Sequence, residues 1–233
     1  MRVLIKLSAE ALAGEKKKGF NEENALEVGN EIKKLVDEGH EVAIVVGAGN
    51  LWRGRSSSNK MDQFKAHQIG ILATVMNAMY MSEILHEIDV DNEVNTPFVV
   101  GDITKVFLKD EVVENLKKGK VVIFGGGLGR PYFSSDTAAA LRSIEIDCDL
   151  VLFAKNVDAV YDKDPNVYPD AKKYDKLTYS EMIEKQLKVI DLTASILCEE
   201  NDVEIRLFNL NKKDAIIDAV NGKNNGTIIK KQF

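Results

Sequence analysis

Glycines and cations follow two apolar segments of this chain in a pattern that suits an anion. Residues 42–46 are apolar and lead into Gly47-Ala48-Gly49, with Arg53 four residues further on. A second apolar segment, "KVVIF", leads into three glycines at 125–127. Glycine lets backbone N–H groups approach an anion closely, and a nearby cation adds charge. One such cluster is typical of an ordinary turn, but two clusters together with Lys6 and Arg53 favour phosphate binding.

Two common phosphate-binding motifs are absent from the sequence. No window matches the GxxxxGK[ST] pattern of P-loop proteins. The GxGxxG pattern of dinucleotide-binding folds fails twice, because Trp52 stands at the third glycine position after Gly47 and Arg130 stands there after Gly125. The sequence therefore argues against both P-loop enzymes and dinucleotide-dependent oxidoreductases.

Two charged residues allow more than one interpretation. Lys6 ends an apolar segment, where its stem could run along a sheet edge with the ammonium in water, or its charge could lie on a transferred phosphoryl group. Asp136 follows Ser134-Ser135 at a predicted helix start, and its position alone favours an ordinary helix cap. Alternatively, it is an acid that holds a catalytic lysine or a metal ion in place.

Predicted strands and helices alternate along the chain. The predicted strands are residues 2–8, 41–46, 95–100, 120–124, 149–154, 204–210 and 226–231. The predicted helices are residues 21–38, 68–88, 111–118, 135–146 and 191–200, one that opens at the capping box Thr178-x-x-Glu181, and a short one before the last strand. Apolar strands alternating with helices predict a mainly parallel sheet covered on both faces, with ligands beyond the carboxyl ends of the strands. Residues 156–176 are predicted to be irregular, as functional segments often are.

Composition and charge argue against several other classes of function. The 31 Lys and Arg residues are interspersed with 37 Asp and Glu residues, for a net charge of −6, and form no basic stripe that would bind nucleic acid. Cys148 and Cys198 lack a CxxC spacing and are predicted to be buried free thiols, and the three histidines form no zinc pattern. No apolar run reaches membrane-spanning length, and Lys6 interrupts the N-terminal one. We expect one α/β domain over residues 1–233, located in the cytoplasm and without a membrane partner.

Longer stretches of the sequence carry a family resemblance. In order, they are "KLSAEAL", "VVGAGNLWRG", "IGILATVMNAM", "GRPYFSSDTAAALRSIEI", "NVDAVYDKDP", "LTYSEMIEKQLKVIDLTA" and "FNLNK". This set resembles the bacterial UMP (uridylate) kinases of the amino acid kinase family nearly from end to end. The resemblance implies a three-layer αβα sandwich with a mainly parallel central sheet, with the acceptor nucleotide in residues 1–150 and ATP in residues 151–233. It also implies γ-phosphoryl transfer from ATP to UMP with Mg²⁺, a homohexamer, and cytoplasmic pyrimidine nucleotide synthesis.

The resemblance also assigns roles to residues and assigns no protein residue as a metal ligand. The residues it places in catalysis are Lys6, Arg53 and Asp136. Those it places at ATP are Lys6, Ser8, Ala9, Gly49, Arg53, Lys155, Tyr161 and Asp164, with Lys155, Tyr161 and Asp164 around the nucleoside. Those it places at UMP are Ala48, His67, Leu128, Gly129, Arg130, Pro131, Tyr132, Phe133, Ser134 and Ser135.

Several positions depart from the family pattern, mostly on the acceptor side. The departures are Ala9 and Ala48 for glycines, His67 for an aspartate, Leu128 for a threonine, and Arg130 for an asparagine. The lysine beside the "VDGV"-like stretch is shifted to Lys155, and Ser82 and Glu93 replace arginines common in GTP-activated relatives, which argues against activation by GTP. These changes keep two alternatives open: a kinase of the same fold for another small anion, and a non-catalytic nucleotide-binding sensor or storage protein.

Overall fold

The computed structural model describes residues 1–52, 61–187, 189–223 and 226–233. Eleven strands are found in these residues: β1 (Arg2–Leu7), β2 (Glu41–Val46), β3 (Asn92–Thr96), β4 (Lys105–Val106), β5 (Val121–Phe124), β6 (Leu150–Lys155), β7 (Val160–Tyr161), β8 (Lys173–Tyr174), β9 (Lys176–Thr178), β10 (Ile205–Asn209) and β11 (Thr227–Lys230). Nine of them form one sheet in the order β4-β3-β5-β2-β1-β6-β10-β11-β9, while β7 and β8 form a separate antiparallel ribbon. In the nine-stranded sheet only β10 and β11 pair antiparallel among the described strands, so the predicted mainly parallel sheet is confirmed.

Helices cover both faces of this sheet. The α-helices are α1 (Glu22–Asp37), α2 (Gln63–Glu87), α3 (Lys109–Lys117), α4 (Ser135–Glu145), α5 (Tyr179–Glu184), α6 (Leu192–Glu200) and α7 (Ala215–Val220), and short 3-10 helices lie at Ala9–Leu12 and Gly14–Lys16. Side chains of α1, α2 and α7 share one apolar core with one face of the sheet, and side chains of α3 to α6 share the second core with the other face. The three-layer αβα arrangement predicted from the sequence is therefore confirmed.

Strand alternation decides which face each side chain of β1 and β6 occupies. Val3, Ile5 and Leu7 belong to the core under α1 and α2, whereas Leu4 belongs to the core under α4. Because side chains two residues apart share a face, Lys6 lies on the α4 face. The same argument applies to β6, where Phe153 lies in the α4 core and Lys155 follows two residues later. The two lysines therefore extend from neighbouring strands toward the same helix.

Three sequence predictions need correction. The second helix begins at Gln63 rather than near residue 68, because Asp62 caps it by accepting the backbone N–H of Phe64 at 2.8 Å. The strand predicted at 95–100 is β3, which ends before Pro97, a residue without the N–H that a ladder needs. Residues 156–176, predicted to be irregular, contain the β7–β8 ribbon. Among the described helices, none combines the length and the apolar character that a membrane span requires.

Candidate active site

The carboxyl ends of four parallel strands adjoin one another in the order β5, β2, β1 and β6. Both glycine clusters and both lysines of interest follow or end these strands, so the fold brings them to one edge of the sheet, as expected. The backbone connects these ends directly, since Gly47 donates its N–H to the Leu7 carbonyl and Ser8 donates to the Ala154 carbonyl, each at 3.1 Å.

Asp136 lies at the centre of this edge, between two lysines. Its Oδ1 is 3.0 Å from Lys6 Nζ and its Oδ2 is 3.0 Å from Lys155 Nζ. Lys155 also donates to the backbone carbonyl of Val189. The Lys6 side chain is only 9% exposed, so the interpretation of Lys6 as a strand residue with its ammonium in water is wrong. The interpretation of Asp136 as a helix cap is wrong as well, because its carboxylate binds both lysines.

Burial and charge act together on the ionisation of this cluster, which we call the Lys6–Asp136–Lys155 cluster. Burial by itself would raise the pKa of Asp136, but the charges of Lys6 and Lys155 hold that pKa below its usual value. Burial lowers the pKa of Lys155, and the charge of Lys6 lowers it further against the opposing pull of Asp136. The cluster therefore keeps Asp136 ionised and places its carboxylate between the Nζ atoms of Lys6 and Lys155.

The first turn of α4 is held in place by a second set of hydrogen bonds. The Ser134 hydroxyl caps the helix, accepting the N–H groups of Asp136 at 3.0 Å and Thr137 at 3.2 Å. Ser134 donates its own proton to Asp191, and the Thr137 hydroxyl donates to the same carboxylate at 2.9 Å. Asp191 also caps α6 by accepting the N–H of Ala194. The sequence predicted helix starts at 135 and 191 but gave no sign that Asp191 would join them.

Close packing and an unsatisfied hydroxyl mark the space beside the cluster. A Cβ placed on Gly47 would lie 3.6 Å from both the Ala9 nitrogen and the Ser135 Oγ, so three segments converge there. The Oγ of Ser8 is buried and has no hydrogen-bond partner among the described residues. Such a hydroxyl costs free energy unless something binds it. A phosphate oxygen is a suitable acceptor for it.

Residues 47–52 of the "VVGAGNLWRG" segment are held against α2 by hydrogen bonds. The Ala48 carbonyl accepts the N–H groups of Leu51 and Trp52, and the Trp52 indole donates to the Ala66 carbonyl at 2.8 Å. Asn77 of α2 donates to the Gly47 carbonyl at 2.6 Å. Arg53 lies outside the described residues. The turn that carries Ala48 and Gly49 is thus a fixed part of the sheet edge.

The glycines after β5 shape the loop that the resemblance assigns to UMP. Gly126 and Gly129 have φ angles of +78° and +69°, and a Cβ there would lie 2.9 Å and 3.0 Å from Pro97. Both positions therefore require glycine. The Gly126 N–H donates to the Thr74 hydroxyl at 2.9 Å, which ties the loop to α2. Leu128 and Pro131 are half-buried in this loop, and Arg130 is exposed.

Aromatic side chains line the outer part of the same loop. Tyr132 and Phe133 are exposed, at 66% and 50%. The His67 ring, in the second turn of α2, lies 4.8 Å from the Tyr132 ring between centroids, and Phe64 lies 6.4 Å from it. His67 therefore contacts Tyr132 and lies beside the loop from Leu128 to Ser135.

Tyr161 and Asp164 lie on the β7–β8 side of the molecule rather than in the cluster. The Tyr161 hydroxyl donates to Asp158 at 3.1 Å, and Asp164 accepts the backbone N–H of Asn166 at 2.9 Å. Asp158 also lines a cavity of about 140 Å³ at the end of β10. The other residues that line it are Phe208, Asn209, Lys212, Lys213, Ala215, Asp218, Lys223 and Gly226. The lysines of this cavity were not singled out from the sequence, although "FNLNKK" places two of them after a strand.

Comparisons with known proteins agree with this architecture. A sequence profile described as the amino acid kinase family matches residues 1–209. The structure of a UMP kinase from Bacillus anthracis superposes with a TM-score of 0.95 at 33% identity, covering 100% of this chain and 96% of that one. A UMP kinase from Ureaplasma parvum superposes with a TM-score of 0.94 at 32% identity, covering 99% of each chain. The chain belongs to the amino acid kinase family.

Proposed function

We propose that this chain is a UMP kinase that transfers the γ-phosphoryl group of ATP to UMP and releases ADP and UDP. The observation that carries the proposal is the full-length likeness to two UMP kinases at 33% and 32% identity. The Lys6–Asp136–Lys155 cluster supplies the charge that such a reaction needs, at the sheet edge where ligands of this architecture bind.

The chemistry requires charge and position more than proton transfer. An oxygen of the UMP phosphate attacks the γ-phosphorus of ATP, a new P–O bond forms, and the bond to the β,γ-bridging oxygen breaks with its electron pair leaving on ADP. Since the second pKa of a phosphate monoester is about 6, the attacking group is mostly deprotonated near neutral pH and needs no catalytic base. The protein must instead offset the repulsion between two anions.

Donor residues are proposed from the resemblance together with their positions. Lys6 lies on the γ-phosphoryl group, and Ser8, Ala9, Gly49 and Arg53 lie around the ATP phosphates. The buried, unsatisfied Ser8 hydroxyl supports that role. Tyr161 and Asp164 lie at the nucleoside, where the cavity beside Asp158 offers space. The nucleoside part of the donor site thus falls in residues 151–233, whereas the ATP phosphates lie at the ends of β1 and β2.

Acceptor residues are proposed on the other side of the cluster, within residues 1–150. Ala48, His67 and the loop of Leu128, Gly129, Arg130, Pro131, Tyr132, Phe133, Ser134 and Ser135 surround UMP. The loop is fixed to α2 through Thr74 and bordered by the His67 and Tyr132 rings. Asp136 begins the helix that follows this loop and is proposed to orient the lysines between donor and acceptor.

Mg²⁺ is proposed to arrive as part of the MgATP substrate. Mg²⁺ is often held mainly by substrate phosphates with few protein carboxylates. Both oxygens of Asp136 already bind lysines, and the described residues contain no cluster of three or more His, Cys, Asp or Glu that could hold a metal ion. The described residues therefore fit a Mg²⁺ ion that is bound mainly by the phosphates of ATP.

The chain is further proposed to form a homohexamer in the cytoplasm, where it serves pyrimidine nucleotide synthesis. Ile69, Leu72 and Met76 share one face of α2 and are 40%, 53% and 55% exposed, which suits contact with a second copy. The free thiols of Cys148 and Cys198 suit a reducing compartment. Light scattering of the purified protein should give six times the 25.9 kDa chain mass, and the mass of a monomer would contradict the hexamer.

The acceptor is tested by a panel of substrates. Purified protein with MgATP should convert UMP to UDP much faster than it phosphorylates CMP, dUMP or small carboxylates. If the protein phosphorylates another acceptor faster than UMP, the proposed substrate is wrong but the protein is still a kinase of this fold. Nucleotide binding without any turnover would instead indicate a sensor or storage protein.

A further inference from the structure

Two glycine turns lie side by side at the sheet edge, and both contact α2. The first turn follows β2 at Gly47, and the second follows β5 at Gly125 and Gly126. β2 and β5 are paired neighbours in the sheet, and a Cβ placed on Gly125 would lie 3.1 Å from the Cβ of Ala78 in α2. The proposed function places the ATP phosphates at the end of β2 and UMP along the loop after β5. The separation of the two turns therefore sets the separation of donor and acceptor.

A buried amide pair holds the first turn against α2. The Asn77 side chain is fully buried, and its Nδ2 donates to the Gly47 carbonyl at 2.6 Å and to Asn50 Oδ1 at 2.7 Å. Asn50 Nδ2 donates in return to Asn77 Oδ1 at 3.2 Å and to the Gly19 carbonyl at 2.9 Å. The two amides thereby use all of their side-chain N–H groups. Because a trans peptide is planar, binding of the Gly47 carbonyl to Asn77 also fixes the direction of the Ala48 N–H.

A second polar side chain on the same face of α2 holds the other turn. Thr74 is buried and precedes Asn77 by three residues, a spacing that places both on one side of a helix. The Thr74 hydroxyl accepts the Gly126 N–H at 2.9 Å and donates to the Ile71 carbonyl at 2.6 Å. Since Thr74 and Asn77 belong to one continuous helix, α2 fixes the two turns relative to each other.

The polar character of these two side chains suits a role in direction rather than in packing alone. Burying a polar group costs free energy unless its hydrogen bonds are made, and an apolar side chain would avoid that cost. A fully bonded polar network, however, holds one geometry, whereas apolar contacts are non-directional. Phosphoryl transfer depends on such geometry, because a misplacement of about 1 Å can lower a rate by about 10²-fold.

We propose that Asn77 and Thr74 are positioning residues that set the distance and angle between the turn after β2 and the turn after β5. This inference rests on the proposed UMP kinase function. Neither side chain contacts a nucleotide in this account. Asn77 acts through the Gly47 carbonyl, and Thr74 acts through the Gly126 N–H, so that the acceptor phosphate lies in line with the donor.

Four variants separate positioning from structural support. Asn77→Leu replaces the amide by an apolar side chain of similar size, and Thr74→Val removes the hydroxyl while keeping a branched side chain. Thr74→Ser is the conservative variant, because it keeps the hydroxyl. Ser82→Ala is the matched control, since Ser82 is also buried in α2 and donates to the sheet, at 2.6 Å to Asn92 Oδ1 in the first residue of β3. For each protein we would measure the Tm, kcat, and the KM values for MgATP and UMP, with kinetics well below the lowest Tm.

The proposal predicts that kinetics and stability respond differently. Asn77→Leu should lower kcat by about 10²-fold, and Thr74→Val should lower it at least about tenfold. Thr74→Val should also raise the KM for UMP more than that for MgATP, because it releases only the second turn. Thr74→Ser should bring kcat back to within about threefold of the unsubstituted chain. Ser82→Ala should lower the Tm, as loss of a buried hydrogen bond does, and leave kcat and both KM values unchanged.

A purely structural role would give another pattern. The Tm would fall for Asn77→Leu and Thr74→Val, as for Ser82→Ala, while kcat stayed within about threefold of the unsubstituted chain. That pattern would overturn the proposal, and so would equal kcat values for Thr74→Val and Thr74→Ser. If Asn77→Leu does not fold, the two Thr74 variants decide alone. An unsubstituted chain that forms no UDP would overturn the UMP kinase function as well, whereas an active one confines the result to α2.

Discussion

Replacing Asp136 by asparagine should damage both stability and turnover. The amide keeps the size of the side chain and one acceptor oxygen but removes the charge that Lys6 and Lys155 share, each at 3.0 Å. Because the three side chains are only 9%, 14% and 19% exposed for Lys6, Asp136 and Lys155, water replaces little of the lost attraction. Two ammonium groups would then lie close together without an anion.

The magnitude follows from that geometry. Removing one partner of a buried ion pair typically costs about 3–5 kcal/mol, and in a chain of this length about 1 kcal/mol lowers the Tm by roughly 2–4 °C. Asp136→Asn should therefore lower the Tm by roughly 6–20 °C near neutral pH. The pKa of Asp136 is below its ordinary 3.8, so its contribution to stability is complete above pH 3.8 and is lost as pH falls further toward the folded-state pKa. The difference between the two proteins should accordingly shrink in strong acid.

The assay pairs thermal unfolding with steady-state kinetics. Asp136→Asn should also lower kcat by about 10²-fold or more, because the lysines lose the group that orients them. The control is Asp147→Asn, which breaks an exposed 3.2 Å ion pair to Lys109 and should move the Tm by less than about 4 °C. Equal Tm values for Asp136→Asn and Asp147→Asn would refute the reasoning that the cluster is a buried, mutually dependent unit.

Three further predictions concern single groups at the site. Lys6→Ala should lower kcat by about 10²- to 10³-fold while the protein still folds, and Lys6→Arg should also be impaired; near-normal turnover of Lys6→Ala would show that the lysine serves only its strand. His67→Asp should lower the KM for UMP, because a carboxylate can accept two ribose hydroxyls whereas an imidazole accepts at most one; an equal KM for the two proteins would place the ribose contact elsewhere. The pKa of Lys155 is lowered by burial and by Lys6, against Asp136 and Asp191, so kcat/KM for ATP should decline on the alkaline side at a lower pH than an ordinary lysine would give. Lys155→Arg should remove this decline, since arginine remains protonated, and an unchanged decline would assign the titration to another group.

Much of the fold could be predicted because local signals and tertiary structure agree. Apolar segments such as residues 41–46 became buried strands, and the capping box at Thr178 and Glu181 opens α5 as expected. The sequence prediction and the structure disagree where a single side chain determines the residue at which a helix begins or a strand ends. Asp62 caps α2, so this helix begins at Gln63 instead of near residue 68, and β3 ends before Pro97. The short β7–β8 ribbon has too few residues to show an alternating pattern.

The sequence predicted where the candidate site lies in the fold, but it did not predict which side chains there bind one another. Glycines after strands and the expected parallel sheet placed the candidate residues at one edge of the sheet, and the fold brings the described ones together there. Which group Asp136 would bind could not be read from its position after two serines, because Ser134 competes for the same helix N–H groups and takes them. Lys155 can bind Asp136 because side chains alternate along β6 and because β6 pairs with β1 in a particular register. Both features exist only in the assembled sheet.

The central claim is phosphoryl transfer from ATP to UMP, and label transfer tests it most directly. ATP labelled in the γ-phosphate is incubated with Mg²⁺, UMP and the purified chain, and the products are separated. The account predicts that label appears in the β-phosphate of UDP in a one-to-one ratio with ADP, and that Lys6→Ala suppresses both products together. Release of labelled inorganic phosphate without labelled UDP, or label transfer that Lys6→Ala leaves unchanged, would contradict it.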